Sequence, residues 1–240
     1  SSDLMDGFTA CMEDQKARAR ANAKGDAWGS FNDVWVELSD KVAATEFDGY
    51  DNDVIEGAKV VAIVRNGESV ESAAAGEDVE VVLDRTPFYA EMGGQQGDAG
   101  KLSAEGVVLT VADTKNHNGL YAHVAHVADG TLTVGAAVTA ALDAERRGFL
   151  RRNHTATHLL DAALKQVLGE HVSQAGSLVT PEHLRFDFTH FEALSSEQLK
   201  AVEDLVNQQI FASKPVVTRV MGIDEAKAAG AVALFGEKYG

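Results

Sequence analysis

Two histidines four residues apart, His154 and His158, have the type and spacing most suggestive of chemistry in this sequence. They stand in R-R-N-H-T-A-T-H-L-L, residues 151–160, which is predicted to be helical. Positions i and i+4 of a helix share a face, so both imidazoles could reach one metal ion. Zinc is the usual occupant of such a pair, at about 2.0–2.1 Å per Zn–N bond. The spacing fits equally two ordinary helical residues, one buried and hydrogen-bonded and one exposed.

A zinc protease is not indicated, because Thr155 stands where the H-E-x-x-H motif carries its general-base glutamate. Asp161 follows His158 by three residues and is either an acceptor for an imidazole N–H or a solvated helix acid. His123 and His126 lie in a predicted strand, so alternation sends their side chains to opposite faces and disfavours a shared metal. The remaining histidines have no partner at ligand spacing: His117, His171, His183 and His190.

The second notable stretch is R-T-P-F-Y-A-E-M-G-G-Q-Q-G-D-A-G, here named the glycine-rich loop (residues 85–100). Its glycines allow positive φ angles or a close approach of the backbone to a ligand. Gln95, Gln96 and Asp98 add polar groups to the same segment. It is not a P-loop, because no Gly-Lys-Ser/Thr follows. Composition alone favours a long connection between strands.

Composition bounds the class of protein. Of the 240 residues, 45% are hydrophobic and 24% are charged, which is typical of a globular protein. No apolar run is long enough to cross a bilayer, and the first residues do not resemble a secretory signal. The absence of such a run predicts no membrane partner. Cys11 is the single cysteine, which fits a reducing cytoplasm. The chain does not begin with Met, which suggests a piece of a longer protein.

The formal net charge of −16 argues against tight nucleic-acid binding. Positive charge is nevertheless concentrated just before the histidine pair, at Arg146, Arg147, Arg151 and Arg152. Such a cluster is typical of a solvated helix face as much as of a phosphate-binding surface.

Hydrophobic periodicity predicts an α+β fold in three segments. Residues 1–44 are predicted to form helices, at 1–24 and 30–44. Residues 45–140 carry short β-branched runs between turn signals, which predict an antiparallel barrel or sandwich containing the glycine-rich loop. Those runs are 59–64, 77–84, 106–112, 120–127 and 131–134.

The third segment, residues 141–240, is predicted to be an α+β core. A long helix is expected from about 143 to 168, ending near Gly169, and a strand at 184–188. Ser195 with Gln198 predicts a capping box at the start of the next helix. Another strand is expected at 215–220 and a short helix at 224–229.

Taken together, several motifs in order resemble the middle of bacterial alanyl-tRNA synthetases, and in particular their editing domain. They are L-D-R-T-P-F-Y-A-E-M-G-G-Q-Q-G-D-A-G at 83–100, R-R-N-H-T-A-T-H-L-L at 151–160, H-V-S-Q-A-G-S-L-V at 171–179, L-R-F-D-F-T-H-F at 184–191 and G-A-V-A-L-F-G-E-K-Y-G at 230–240. The resemblance implies a threonyl/alanyl-tRNA synthetase editing fold that hydrolyses Ser-tRNA(Ala) and Gly-tRNA(Ala). Residues 1–44 would be the end of the tRNA-recognition helices.

The resemblance also implies roles for particular residues. His154 and His158 would be the first two zinc ligands, and a later Cys-x-x-x-His, expected beyond residue 240, would supply the others. Zinc occupancy by these residues alone is therefore doubtful. Gln95, in the G-G-Q position, and Thr86 are the implied catalytic residues.

The partner implied by the resemblance is the acceptor end of tRNA(Ala), toward which the four arginines would face. ATP and Mg²⁺ would belong to a catalytic core elsewhere in the parent enzyme. Two alternatives stay open: a free-standing trans-editing deacylase, and a non-catalytic tRNA- or protein-binding module of the same fold. The helical residues 1–44 argue against the free-standing form.

Overall fold

The computed structural model describes residues 27–217, 219 and 221–230, with only the backbone described for residues 27–33. The chain forms two compact units, Ser1–Ala193 and Leu194–Gly240. The division between them falls inside the segment predicted as 141–240. The helix predicted over residues 1–24 lies outside the described residues.

The described part of the chain is a mixture of helices and strands, as the sequence predicts. The helices are α1 (Ala27–Lys41), α2 (Ala144–Leu168), α3 (Ser196–Ala212) and α4 (Ile223–Ala228). The strands are β1 (Glu46–Phe47), β2 (Val54–Arg65), β3 (Glu68–Val70), β4 (Ser72–Ala74), β5 (Asp78–Leu83), β6 (Arg85–Thr86), β7 (Gly100–Ala104), β8 (Val107–His117), β9 (Leu120–Asp129), β10 (Thr131–Thr133), β11 (Ala137–Leu142), β12 (Gln174–Val179) and β13 (Leu184–Phe188).

Six strands close into an antiparallel barrel, in the order β11, β7, β8, β9, β5, β2 and back to β11. Closure follows from the two pairings of β11, which bonds to β7 on one side and to β2 on the other. The five strand predictions between residues 59 and 134 fall on β2, β5, β8, β9 and β10. Of the two predicted architectures, barrel or sandwich, the strands form the barrel.

Alternation along β5 shows how the barrel is filled. Val79, Val81 and Leu83 belong to the main hydrophobic core, whereas Val82 belongs to a second cluster. Successive side chains of a strand point to opposite faces, so one strand serves both clusters. Phe88, which follows β6, is completely buried in the main core.

Helix α1 packs on the second cluster. Its Trp35 and Leu38 are buried against Val82 and Leu120 of the barrel strands. The Trp35 ring also stacks on the His117 ring, with centroids 4.2 Å apart. This packing joins the predicted 30–44 helix to the barrel.

Helix α2 begins and ends where the sequence predicts. The Asp143 carboxylate accepts the backbone N–H of Arg146 at 3.0 Å, which caps the first turn. The helix ends at Gly169, whose φ of 112° favours glycine and whose N–H donates to the Lys165 carbonyl. Along its length α2 packs against β12 and β13, which form an antiparallel hairpin.

The second unit contains α3 and α4. The predicted capping box is confirmed, since Ser195 and Gln198 each bond the other's backbone N–H. The strand predicted at 215–220 is wrong over residues 215–217, which have no regular secondary structure. α4 confirms the short helix predicted at 224–229.

Within the described residues, no helix has the length and apolar character needed to cross a bilayer. The cytoplasmic location predicted from the sequence is not tested by this observation.

Candidate metal centre and glycine-rich loop

Helix α2 presents His154 and His158 on consecutive turns of one face. Their rings are nearly parallel, with an interplanar angle of 18° and centroids 5.2 Å apart. His154 is half-buried, whereas His158 is exposed. Burial lowers the pKa of the His154 imidazole, and the neighbouring His158 lowers it further. His154 is therefore neutral near pH 7, which is the form that binds metals.

The glycine-rich loop brings Gln95 to this histidine pair. Gln95 is 6% exposed, and its Oε1 lies 2.6 Å from Nδ1 of His154. An amide oxygen only accepts, so Nδ1 of His154 donates in this contact. The contact places the two motifs singled out in the sequence in one site.

Backbone bonds hold the loop against β12. The N–H of Gln96 donates to the Val179 carbonyl at 3.0 Å, and the N–H of Val179 donates to the Gly94 carbonyl at 2.8 Å. A Cβ on Gly94 would lie 2.5 Å from the Ser177 carbonyl oxygen. The close approach predicted for the loop glycines is thus, at Gly94, an approach to the protein's own backbone.

Arg147 connects the loop to the start of α2 through a buried ion pair with Asp98. The Arg147 side chain is 11% exposed and the Asp98 side chain 2%. Nε of Arg147 lies 2.9 and 2.8 Å from the two carboxylate oxygens, and Nη2 donates to the carboxylate as well. The same guanidinium donates to the carbonyls of Gly49 and Pro87, each at 2.9 Å.

These contacts give the first arginine pair a structural role, and its predicted contact with nucleic acid stays a prediction. Arg147 donates to Asp98, Gly49 and Pro87 inside the protein. Arg146 donates to the Gly97 carbonyl at 2.7 Å and to Oε1 of Gln96 at 3.3 Å, so it also fastens the loop.

The second arginine pair lies differently. Arg151 and Arg152 are both exposed on α2. The Arg152 guanidinium lies over the Phe149 ring, 4.5 Å from its centroid. Their predicted contact with nucleic acid stays a prediction.

Thr86, for which the resemblance implies a catalytic role, lies in the core. Its side chain is completely buried, and its hydroxyl lies 2.7 Å from Nε2 of His123. His123, also fully buried, uses Nδ1 to bond the Val81 carbonyl at 2.8 Å. Burial lowers the pKa of His123 to about 4. Thr86 and His123 therefore form a satisfied polar pair in the core, with no face toward a substrate.

His126 confirms the predicted alternation of β9. It points away from the core, is exposed, and bonds the Asp78 carboxylate at 2.7 Å. His123 and His126 therefore lie on opposite faces of the strand.

The family model described as tRNA synthetases class II (A) matches residues 4–146, more than half of the chain. The chain belongs to this family. The match ends in the first turn of α2, before the histidine pair, so it covers the glycine-rich loop but not His154 or His158.

The similarity to alanine–tRNA ligases extends across His154 and His158. The chain is 53% identical to an alanine–tRNA ligase of Sinorhizobium medicae (strain WSM419), over 98% of the chain and 26% of the relative. Alanine–tRNA ligases of Rhizobium meliloti (strain 1021) and Chelativorans sp. (strain BNC1) are 52% and 47% identical over 98% of the chain. The chain spans about a quarter of the length of these relatives. The predicted resemblance to alanyl-tRNA synthetases is confirmed.

The metal ligands that α2 of this chain offers are imidazole nitrogens, which suit zinc, but they are few. With Nδ1 of His154 bonded to Gln95, Nε2 is the nitrogen left for a metal. Among the described residues, no group of three or more His, Cys, Asp or Glu side chains could hold a metal ion. Asp161 bonds Lys165 at 2.8 Å. The two imidazoles thus supply half of a tetrahedral zinc shell.

The structure also pairs two histidines that sequence spacing does not. Nε2 of His171 lies 2.9 Å from Nδ1 of His190, although 19 positions separate them. The hairpin of β12 and β13 brings them together. Their pairing could have been predicted only from the antiparallel register of these two strands. The Phe191 ring stacks on His171, with centroids 5.1 Å apart.

Proposed function

We propose that this chain forms the editing site of an alanine–tRNA ligase and hydrolyses tRNA(Ala) that carries serine or glycine. The observation that carries the proposal is the 2.6 Å contact between Gln95 and His154. It joins the glycine-rich loop to the histidine helix, which are two of the motifs behind the resemblance. Identities of 53% and 52% with alanine–tRNA ligases support the substrate class.

The chemistry explains why such a site is needed. A synthetic pocket for alanine cannot strongly exclude the smaller glycine, and it rejects the added hydroxyl of serine poorly. Binding differences of this size are worth only about 1–3 kcal/mol, so a second, hydrolytic site must remove the errors. The bond to be cleaved is the ester between the amino acid and the tRNA 3′ end.

In this proposal His154 and His158 are the zinc ligands that the chain contributes. A zinc ion bound there would orient the amino group of the substrate or activate a water molecule. Arg151 and Arg152, exposed on the same helix, would contact phosphates of the acceptor end and so position the ester. Because two imidazoles fill half of a zinc shell, we expect the chain alone to bind zinc weakly and to hydrolyse Ser-tRNA(Ala) slowly.

The proposal extends to the whole protein. We propose that it charges tRNA(Ala) with alanine in the cytoplasm, with ATP and Mg²⁺ used in a separate catalytic core. The editing site then acts on the products that this core mischarges.

The test is hydrolysis of Ser-tRNA(Ala) by the protein encoded by the complete reading frame containing these residues. Replacing both His154 and His158 with alanine should slow hydrolysis by about 100-fold or more, because metal binding is worth several kcal/mol at the transition state. The matched control is His126→Gln, on the exposed face of the barrel, which should hydrolyse at the wild-type rate.

Two results would overturn the proposal. One is wild-type hydrolysis by the variant that lacks both helix histidines. The other is a wild-type protein that does not hydrolyse Ser-tRNA(Ala) or Gly-tRNA(Ala), which would indicate a non-catalytic binding module instead.

A further inference from the structure

Oε1 of Gln95 lies 2.6 Å from Nδ1 of His154. We propose that Gln95 is a positioning residue, which fixes His154 as the Nδ1–H tautomer and so presents Nε2 as its metal-binding atom. This inference rests on the proposed function only for the identity of the metal. It replaces the catalytic role implied for Gln95 by the resemblance.

The donors and acceptors of Gln95 and His154 decide which nitrogen carries the proton. Oε1 of Gln95 has lone pairs and no hydrogen, so with this oxygen facing the ring at 2.6 Å the proton of the contact belongs to Nδ1 of His154. A neutral imidazole carries one N–H, and Nε2 therefore keeps its lone pair. In free histidine the tautomers exchange, and a fixed acceptor removes that freedom before a metal arrives.

Gln95 can fix the ring only because it is itself held. Its side chain is 6% exposed. Its backbone N–H donates to the Met92 carbonyl at 3.1 Å, and its carbonyl accepts the Met92 N–H at 3.3 Å. The neighbours on both sides, Gly94 and Gln96, bond to Val179 of β12. The amide therefore sits on a loop anchored to a strand, which is the rigidity that a precise site requires.

His158 provides the contrast within the same site. It is exposed, and no hydrogen bond of its ring occurs among the described residues. Its ring stacks on that of His154, but no acceptor among the described residues selects one of its two tautomers. The pair is therefore asymmetric, with a fixed imidazole at His154 and an adaptable one at His158.

The experiment reads the tautomer directly. Long-range ¹⁵N–¹H correlation spectra of the metal-free chain near pH 7.5 distinguish the two tautomers of each histidine. We expect His154 to be the Nδ1–H form in the wild type, and a mixture of both forms in Gln95→Met, which keeps the side-chain length and removes the acceptor. Gln95→Glu should restore the Nδ1–H form, because a carboxylate also accepts.

Zinc affinity supplies the second readout, measured by competition with a chromophoric chelator on the protein from the complete reading frame. Loss of an outer hydrogen-bond partner of a ligand histidine weakens metal binding by about 10–100-fold. Gln95→Met should show this loss and Gln95→Glu should recover most of it. The control is Gln96→Met, since the Gln96 amide bonds Arg146 and not His154. This variant should leave the tautomer of His154 and the zinc affinity unchanged.

An unchanged tautomer of His154 in Gln95→Met would overturn the inference, as would equal zinc affinities of that variant and the wild type. Its failure differs from that of the proposed function. Hydrolysis of Ser-tRNA(Ala) with no effect of Gln95 on the tautomer would refute the inference alone. A tautomer and zinc effect without any hydrolysis would refute the editing function alone.

Discussion

Replacing Arg147 with methionine should lower the free energy of unfolding by about 3–5 kcal/mol, the usual cost of removing one partner of a buried ion pair. The Asp98 carboxylate is 2% exposed and would remain buried beside the backbone N–H of Tyr89 without its counter-ion. The substitution also removes the N–H donors that the carbonyls of Gly49 and Pro87 accept at 2.9 Å.

A double-mutant cycle isolates the ion pair from these other losses. Asp98→Asn and Arg147→Met should each be destabilising, while the double variant should be more stable than the sum of the single effects predicts. Coupling energies of residues in contact are about 0.5–3 kcal/mol, and the burial of both groups places this pair near the upper end. The assay is urea unfolding followed by far-UV circular dichroism, with linear extrapolation and a check that the m-value is unchanged.

The control pair is Arg185 with Asp187, whose side chains are 61% and 47% exposed. Arg185→Met should cost less than about 1 kcal/mol, as exposed ion pairs do. If Arg147→Met stayed within about 1 kcal/mol of the wild type and instead weakened tRNA binding, the structural role argued for Arg147 would be refuted. The sequence-based prediction of a phosphate contact would then stand.

Three further predictions test other parts of the molecule. The folded pKa of His123 is about 4, against an ordinary value of 6.5, so the unfolded chain binds its proton more readily. The contribution of His123 to the free energy of unfolding is complete above pH 6.5 and should fall by about 2 kcal/mol between pH 7 and pH 5. His123→Gln should remove that part of the pH dependence of urea unfolding. Gly97→Ala should cost about 1–3 kcal/mol, because its Cβ would lie 2.1 Å from a backbone carbonyl oxygen. Gly148→Ala, with an arginine side chain at 3.5 Å, should instead stabilise α2 by about 0.5–1 kcal/mol. Arg151→Ala and Arg152→Ala should each lower the slope of log Kd against log salt for tRNA(Ala) by about 1, and a slope unchanged in both variants would contradict their role.

Local signals account for the elements that could be predicted from the sequence. Helix α2 was predictable because Asp143 and Gly169 mark its ends. The strands on β2, β5, β8 and β9 carry dense β-branched runs. β7 (Gly100–Ala104) and β12 (Gln174–Val179) were not predicted, because glycine, serine and alanine dominate them and tertiary pairing decides their conformation.

In the candidate site, too, some features follow from local sequence and others depend on tertiary structure. That His154 and His158 share a face follows from helical geometry alone. That Gln95 meets His154, or that Asp98 meets Arg147, depends on the path of the glycine-rich loop, which no local periodicity encodes. The burial of Thr86 was not predictable for the complementary reason, since a place within the glycine-rich loop says nothing about the side on which a hydroxyl lies.

Polar residues of the glycine-rich loop have separable effects, although they lie within four positions of one another. Asp98 bonds Arg147 in the first turn of α2, so its loss should destabilise the loop and the start of the helix together. The Gln95 side chain bonds the His154 ring, so its loss should change the chemistry of His154 with little effect on stability. A variant of Gln95 that unfolds as easily as a variant of Asp98 would mean that the loop, not the amide, positions the histidine. If the Gln95 variant is more stable than the Asp98 variant and the tautomer of His154 is altered, the amide of Gln95 positions the histidine.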